Sequence, residues 1–231
     1  MRPLRILLAT ALVTALALPF MDAAAGAAQP APASTKAALP PPVQGTDYDL
    51  IDHPAPIHGR KVEVVEVFGY GCPICNRFQP FLSAWEKKAP ADVSLSYLPA
   101  PFGADPEHCW DEFARAFFAA QALGVQAKAH EGIYKEVFEQ HQLVSCESVS
   151  ELWSDYGVSQ KTLAARMQTF DVGAKMSAAH DQVVHWGVDG TPTLVVDGKY
   201  RVSLTRQGGP DGLLRTVDWL IAKQRPLHRG R

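Results

Sequence analysis

Cysteine is scarce in this sequence, with four among 231 residues: Cys72, Cys75, Cys109 and Cys146. A chain of this length can bury a core without a disulfide framework, so each cysteine needs a more specific explanation. Only Cys72 and Cys75 have the Cys-x-x-Cys spacing. A closed zinc site takes four ligands, usually from two such pairs or from added histidines, so we expect no zinc or iron–sulfur centre.

An excess of charge of either sign is also missing. The formal net charge is -2 at pH 7, from 22 Lys and Arg against 24 Asp and Glu. This balance gives no electrostatic reason to bind nucleic acid or an anionic membrane. No internal repeat is evident, and the length with 47% hydrophobic residues indicates one domain, or one domain with a sizeable insertion.

A long apolar run occurs at the N-terminus, between Ile6 and Phe20. Arginines precede it and small residues follow it, which is the order of a secretory signal peptide. The run is short for a membrane helix of about 20 residues, and no cysteine follows it to carry a lipid anchor. We predict a signal peptide over residues 1–25, cleaved near Ala25 or Ala27, with an uncleaved anchor as the alternative. Export would place the protein where disulfides persist.

Alanine and proline dominate residues 26–47, which we expect to form a flexible or semi-extended leader outside the core. Apolar patterns then predict strands, helices and a final hairpin with an Asp-Gly turn. This order favours an α/β fold, with helices on a mixed sheet and a helical insertion. The predicted strands are Val62–Phe68, Asp92–Leu98, Thr193–Val196 and Lys199–Leu204. Two predicted helices start at about Cys72 and at Asp105-Pro106-Glu107. Further helices are predicted over Ala127–His141, Ser148–Tyr156 (with a Ser148/Glu151 capping box) and Ser159–Phe170, followed by one that ends at about Trp186 and an amphipathic helix at the end of the chain.

The Cys72-Pro73-Ile74-Cys75 motif stands where a strand ends and a helix begins. A disulfide closing so small a ring would constrain little chain entropy, which argues against a purely structural bridge. A helix N-terminus offers unpaired N–H groups and partial positive charge, which lower a thiol pKa and favour thiol exchange. Pro73 suits the first helical turn. Cys75, one turn on, should be more buried and able to attack a mixed disulfide at Cys72.

Glu66 is a carboxylate in an apolar row. By the two-residue period of a strand it shares a face with Val62, Val64 and Phe68. If buried, the acid would have a raised pKa and could relay a proton to or from Cys75. The alternative is that Glu66 reaches water at the strand end or pairs with a lysine.

Several of these features together resemble the DsbA family of periplasmic thiol:disulfide oxidoreductases, which have the thioredoxin fold. The resemblance covers the chain from about Tyr48 to its end. It implies a thioredoxin-like domain over residues 48–103 and 187–231, with an inserted helical domain over residues 104–186. The matching features are Glu66 six residues before Cys72, the Cys-Pro-x-Cys motif, the helical insertion, Ala122–Val125, and Gly190-Thr191-Pro192 before Val196–Tyr200.

The resemblance also implies roles for individual residues. Cys72 would be the nucleophile of a redox-active disulfide with Cys75, and Glu66 the buried acid of the family. Pro192 would be the cis-proline facing the disulfide, and Thr191 would present backbone groups to an extended substrate. The plain alternative for these two residues is a turn that enters a strand.

The function implied by the resemblance is the introduction of disulfides into exported proteins with free thiols. No cofactor is required, the protein is expected to be a monomer, and a DsbB-like membrane quinone-linked oxidase would reoxidise it. Two alternatives remain: a reductase or isomerase of the same fold, and a non-catalytic peptide-binding holdase with a vestigial Cys72–Cys75 pair.

Ile74 departs from the family pattern, because the best-known members have a histidine there. Isoleucine offers no N–H donor to a Cys72 thiolate. We therefore predict a higher Cys72 pKa and a less oxidising couple than in those members.

Cys109 and Cys146 lie 37 positions apart in the helical block. Two unpaired thiols in an oxidising compartment more often pair, so we expect a structural disulfide. Two buried free thiols, or an auxiliary redox pair, are the alternatives.

Overall fold

A computed structural model describes residues 39–57, 59–139, 145–204 and 208–229. The described residues from Pro40 onward belong to one compact unit. The predicted signal peptide and most of the predicted leader lie outside the described residues. Among those described, none of the helices combines the length and the apolar character needed to cross a bilayer.

Within the described ranges, five strands form a mixed sheet in the order β1-β5-β4-β2-β3. The parallel pair β2–β3 is extended by β4, β5 and β1 in antiparallel pairings. The predicted strands are confirmed to within a residue or two, whereas the two-residue β1 is too short to show a period. The strands are β1 (Asp49–Leu50), β2 (Val62–Phe68), β3 (Val93–Pro99), β4 (Thr193–Val196) and β5 (Tyr200–Ser203).

The hairpin between β4 and β5 turns at Asp197-Gly198, as predicted. Both residues have positive φ, 51° and 59°. This is the backbone conformation that a two-residue hairpin requires and that Asp-Gly adopts readily. The turn places β5 along one side of β4, and β2 pairs with the other side, with Glu66 opposite Leu194 and Val67 opposite Thr193.

Helices pack on both sides of the sheet and fill the interval between β3 and β4. The mixed sheet with a helical block confirms the predicted fold class, while the domain boundaries at 103/104 and 186/187 remain a prediction. The helices are α1 (Pro73–Glu86), α2 (Trp110–Ala122), α3 (Gln126–Phe138), a 3₁₀ helix (Cys146–Tyr156), α4 (Gln160–Met167), α5 (Phe170–His185) and α6 (Gly209–Arg229).

The start of α2 differs from the prediction, since the helix begins at Trp110 and not at Asp105. The Asp105 carboxylate accepts the N–H groups of Glu107 at 2.8 Å and His108 at 3.3 Å. These bonds close a separate turn, as aspartate side chains often do before a helix. Cys109 follows at the N-cap of α2 in a left-handed conformation, with φ of 49°.

Three other helix predictions need correction. The predicted Ser148/Glu151 capping box is absent, because the Ser148 hydroxyl donates to the carbonyl of Ser145 at 3.0 Å inside a 3₁₀ helix. The predicted helix from Ser159 to Phe170 ends earlier, at Met167, and Phe170 begins the next predicted helix, which ends at His185. α3 ends at Phe138, and the predicted end at His141 lies outside the described residues.

The last residues of the predicted leader belong to the folded unit. Pro42 is buried, and the Pro40 carbonyl accepts a hydrogen bond from Arg215 Nη1 at 2.9 Å. The backbone N–H of Val43 donates to Asp47 at 2.7 Å. Ordered structure therefore begins before Tyr48, because the approach to β1 is tied to α6 and to its own turn.

The core lies on both faces of the sheet. Val62 and Val64 of β2 pack under α1 and α6, while Val65 and Val67 pack under α5 and the segment that follows it. A third cluster fills the helical block and extends to Phe68. Consequently the end of β2 and the start of α1 lie where all three clusters meet, and this junction carries the cysteine motif.

Candidate active site

Cys72 is the N-cap of α1, with φ of -85° and ψ of 114°. Its Sγ accepts the backbone N–H of Cys75 at 3.2 Å. The Cys75 thiol, and then Thr191 and the backbone N–H groups of Cys75 and Ile74, lower the pKa of Cys72 to about 6, although burial opposes this shift. The partner thiol, assisted by the N–H groups of the helix start, therefore favours the Cys72 thiolate near neutral pH.

Cys75 is completely buried, whereas Cys72 keeps 5% of its surface exposed. Burial raises the pKa of Cys75 well above its ordinary value, and the neighbouring charges of Cys72 and Glu66 raise it further. Both thiols are unbonded in this structure. The pair is thus asymmetric: Cys72 can carry the negative charge while Cys75 keeps its proton.

Glu66 is fully buried, so the alternative that it reaches water at the strand end is wrong. Its two carboxylate oxygens accept the Gln79 amide Nε2 at 3.2 and 2.9 Å. Burial raises the pKa of Glu66 to about 8, although the Gln79 hydrogen bonds oppose the shift. A carboxyl of this pKa can gain and lose a proton near neutral pH.

Gln79 is a site residue that the sequence reasoning missed. It lies four residues after Cys75 on α1, and residues at that spacing share one helix face. The buried face of α1 consists of Cys75, Phe78, Gln79 and Leu82. Gln79 is a polar residue on the apolar face of a helix, just as Glu66 is a polar residue on the apolar face of a strand. The spacing of apolar residues in α1 could therefore have identified it.

The Thr191–Pro192 peptide bond is cis. The loop immediately precedes β4, and β4 runs antiparallel to β2, so the loop reaches the end of β2 where α1 starts. There the protonated Cys72 thiol donates to the Thr191 carbonyl oxygen at 3.6 Å. Residues far apart in sequence therefore meet at one sulfur.

A groove of about 490 Å³ adjoins this loop. Ile74 is 42% exposed and lines the groove together with Phe81, Pro192, Leu204 and Pro210. Because its walls are largely apolar, the groove can accept an apolar segment of an extended chain beside Cys72.

Cys109 and Cys146 form a disulfide with Cα atoms 5.3 Å apart. The alternative of two free thiols is therefore wrong. Glu112 lies close enough to both sulfurs to make a group of three potential metal ligands among the described residues. The bridge occupies both sulfurs, so the group offers no thiolate ligand while it is intact.

The arrangement around Cys72 serves one kind of chemistry. A sulfur stabilised as a thiolate is a good leaving group, and a buried partner thiol beside a titratable acid can take up or release a proton. On a mixed sheet of this topology, such a pair defines a thiol:disulfide oxidoreductase of the thioredoxin fold.

Comparisons with known proteins specify the family. The model of the DSBA-like thioredoxin domain matches residues 63–209. The thiol:disulfide interchange proteins DsbA of Pseudomonas aeruginosa and Azotobacter vinelandii are each 33% identical over 183 residues, covering 78% of this chain and 85% and 84% of theirs. This chain belongs to the DsbA family.

Solved structures agree with this assignment. DsbA from Xylella fastidiosa superimposes with a TM-score of 0.72 at 34% identity, covering 80% of this chain and 98% of that protein. DsbA from Pseudomonas aeruginosa gives a TM-score of 0.71 at 32% identity, with 81% and 96% covered. The protein is therefore a disulfide oxidoreductase with a DsbA-like thioredoxin fold.

Proposed function

We propose that this protein oxidises thiols of exported proteins by transferring the Cys72–Cys75 disulfide to them in the periplasm. The observation that carries the proposal is the position of the Cys72 sulfur at the N-cap of α1, where it accepts the Cys75 N–H at 3.2 Å and its pKa is lowered to about 6. A stabilised thiolate favours the reduced form of the couple, and a couple whose reduced form is favoured acts as an oxidant. The lowered pKa therefore supports disulfide donation, which the reduction potential of the couple would measure.

The first step is attack by a substrate thiolate on Cys72 Sγ. The Cys72–Cys75 bond breaks, and its electron pair goes to the Cys75 sulfur, which takes up a proton because its pKa is raised. Glu66 is protonated at neutral pH, with its pKa of about 8, and we assign it as the donor of that proton. Gln79 holds the carboxyl in place.

The second step resolves the mixed disulfide. A second substrate thiolate attacks the substrate sulfur bound to Cys72, the substrate gains its disulfide, and Cys72 leaves as a thiolate. We assign the Thr191 backbone and the Pro192 loop to hold the substrate segment in extended form, with the adjoining groove taking an apolar side chain.

The enzyme leaves this cycle as a dithiol that carries two electrons, so it needs an oxidant. The DsbA family implies thiol-containing substrate proteins and reoxidation by DsbB in general. For this chain we propose a membrane quinone-linked oxidase of the DsbB kind and action as a monomer. The N-terminal signal-peptide pattern supports the periplasmic assignment.

The proposal is tested with a reduced, unfolded protein that contains a single pair of cysteines. Oxidised wild-type protein should transfer one disulfide per enzyme molecule, and Cys72→Ser should transfer none. Efficient insulin reduction with little disulfide transfer would support a reductase instead. Suppression of aggregation that survives Cys72→Ser, without any thiol exchange, would support the holdase.

A further inference from the structure

Two glycines flank Tyr70 in the turn that leads from β2 to Cys72, and both are in very close contact with the helical block. A Cβ added to Gly71 would lie 2.1 Å from the carbonyl oxygen of His108. A Cβ added to Gly69 would lie 2.1 Å from Cζ3 of the Trp110 ring. The catalytic turn therefore rests directly on the residues on either side of Cys109.

Neither glycine is needed for its backbone conformation. Positive φ angles occur at other glycines of the described chain, such as Gly103 and Gly124, but not at Gly69 or Gly71. Glycine is required at these two positions because any side chain would push the two segments apart. The contact with the helical block is thus specified by the sequence of the catalytic turn.

The segment under the turn is held by local bonds and by the disulfide. The Cys109 N–H donates to the Asp105 carbonyl at 2.7 Å, and His108 Nδ1 lies 2.9 Å from the Asp105 carboxylate. Cys109 has a left-handed φ of 49°, a conformation that disfavours residues with a Cβ. The same residue is bonded covalently to Cys146.

We propose that the Cys109–Cys146 disulfide positions the catalytic cysteine, by pressing the His108–Trp110 segment against Gly69–Gly71. The Cys72 N–H donates to the Gly69 carbonyl at 3.1 Å, so a shift of the turn displaces Cys72 at the start of α1. The thiolate depends on the Cys75 thiol and on the N–H donors of α1, and its geometry relative to them changes with that displacement. This inference rests on the part of the proposed function in which Cys72 undergoes thiol–disulfide exchange, and it holds whether the protein oxidises or reduces its substrates.

A purely stabilising disulfide would behave differently. Tyr70 is anchored independently, because its hydroxyl lies 2.9 Å from His130 Nδ1 of α3. Loss of the disulfide should therefore leave the turn attached to the helical block but displaced from its position against the His108–Trp110 segment. A bridge that only stabilises would alter unfolding and leave the reactivity of the folded site unchanged.

The experiment compares the wild type with Cys109→Ala/Cys146→Ala and with Leu163→Ala, in which a fully buried α4 side chain is truncated as a control for lost stability. The ultraviolet absorbance of the thiolate gives the Cys72 pKa, and exchange with a thiol peptide gives kcat and KM. We expect the double variant to raise the Cys72 pKa by about one unit and to slow exchange about tenfold, mainly in kcat. Leu163→Ala should match the wild type.

Gly71→Ala is the second variant, since it keeps the bridge and forces the His108 carbonyl away. Like the double variant, it should raise the Cys72 pKa and lower kcat. If the double variant does not fold, Gly71→Ala alone tests the proposal. Trp110→Phe should retain more exchange activity than Trp110→Ala. A folded double variant, or Gly71→Ala, with wild-type pKa and kcat would overturn the proposal.

Discussion

Cys72 and Cys109 both stand at the N-cap of a helix, yet their sulfurs have opposite surroundings. Cys72 has extended backbone angles, and its Sγ accepts the N–H of the residue three positions on. Cys109 has a left-handed backbone and makes no side-chain cap hydrogen bond, because its sulfur is bonded to Cys146. Residue type and helix position are the same in the two regions, so neither decides what the sulfur does.

The difference lies in what the surroundings offer each sulfur. Cys72 has N–H donors, a partner thiol one turn away and a buried acid beneath that partner. Cys109 has a distant partner that closes a long loop, which favours a permanent bridge. The first pair is therefore arranged for thiol–disulfide exchange and the second for a permanent structural bond.

The largest expected effect is on exchange activity. Cys72→Ser should lower the rate of disulfide transfer at least about a thousandfold, because the attacked sulfur is lost. Cys109→Ala/Cys146→Ala should keep a measurable rate of transfer in the same peptide assay. Comparable losses in both variants would remove the distinction between the pairs.

The second largest expected effect is on the stability of the protein, and it comes from the Cys109–Cys146 pair. Cys109→Ala/Cys146→Ala should lower the free energy of unfolding by about 3–4 kcal/mol, from the entropy of the open loop. Urea unfolding with matched slopes measures this value. Reduction of Cys72–Cys75 in the wild type should not cost stability, since that bridge closes a very small ring and its reduced form gains a stabilised thiolate.

The buried acid beside Cys75 should destabilise the protein as the pH rises. The pKa of Glu66 is raised from 4.5 to about 8, so between these values the folded state binds more protons than the unfolded state and stability falls. Glu66→Gln removes this loss and should stabilise the protein by about 3 kcal/mol at pH 7, with little gain below pH 4. Urea unfolding across this pH range measures it.

Glu66→Gln should also slow the step in which Cys75 takes up a proton. Glu112→Gln, beside Cys109, is the matched control and should leave the exchange rate unchanged. If the Glu66 variant showed the wild-type fall in stability between pH 5 and pH 8, the assigned titration would be wrong.

The smallest effect concerns Ile74. Ile74→His adds a donor beside Cys72, lowers the pKa of its thiol and should raise the reduction potential by about 30 mV for each 1.4 kcal/mol of added stabilisation of the reduced form. Equilibration with glutathione buffers measures the potential. Ile74→Leu is the control, and a histidine variant with the same potential as leucine would contradict the argument.

Much of the site could be predicted because its signals are local. The strand-to-helix junction at Cys72, the apolar row around Glu66 and the Asp197-Gly198 turn each follow from the spacing of a few neighbouring residues. Gln79 was within reach of the same reasoning, applied to the helix instead of the strand.

The parts that could not be predicted depend on distant contacts. α2 starts at Trp110 because Asp105 closes its own turn, and Cys109, which is bonded to Cys146, follows in a left-handed conformation. The need for glycine at 69 and 71 becomes visible only when the His108–Trp110 segment is placed against them. The sequence pattern of neither segment indicates that the two segments are in contact.

The most direct test of this account is the titration of the thiolate absorbance in the reduced protein. We predict one transition centred near pH 6, assigned to Cys72 by its absence from Cys72→Ser and unchanged in Glu112→Gln. A single transition at the ordinary thiol pKa of about 8.5, or one near pH 6 that persists in Cys72→Ser, would contradict the claim that the surroundings of Cys72 make it the reactive sulfur.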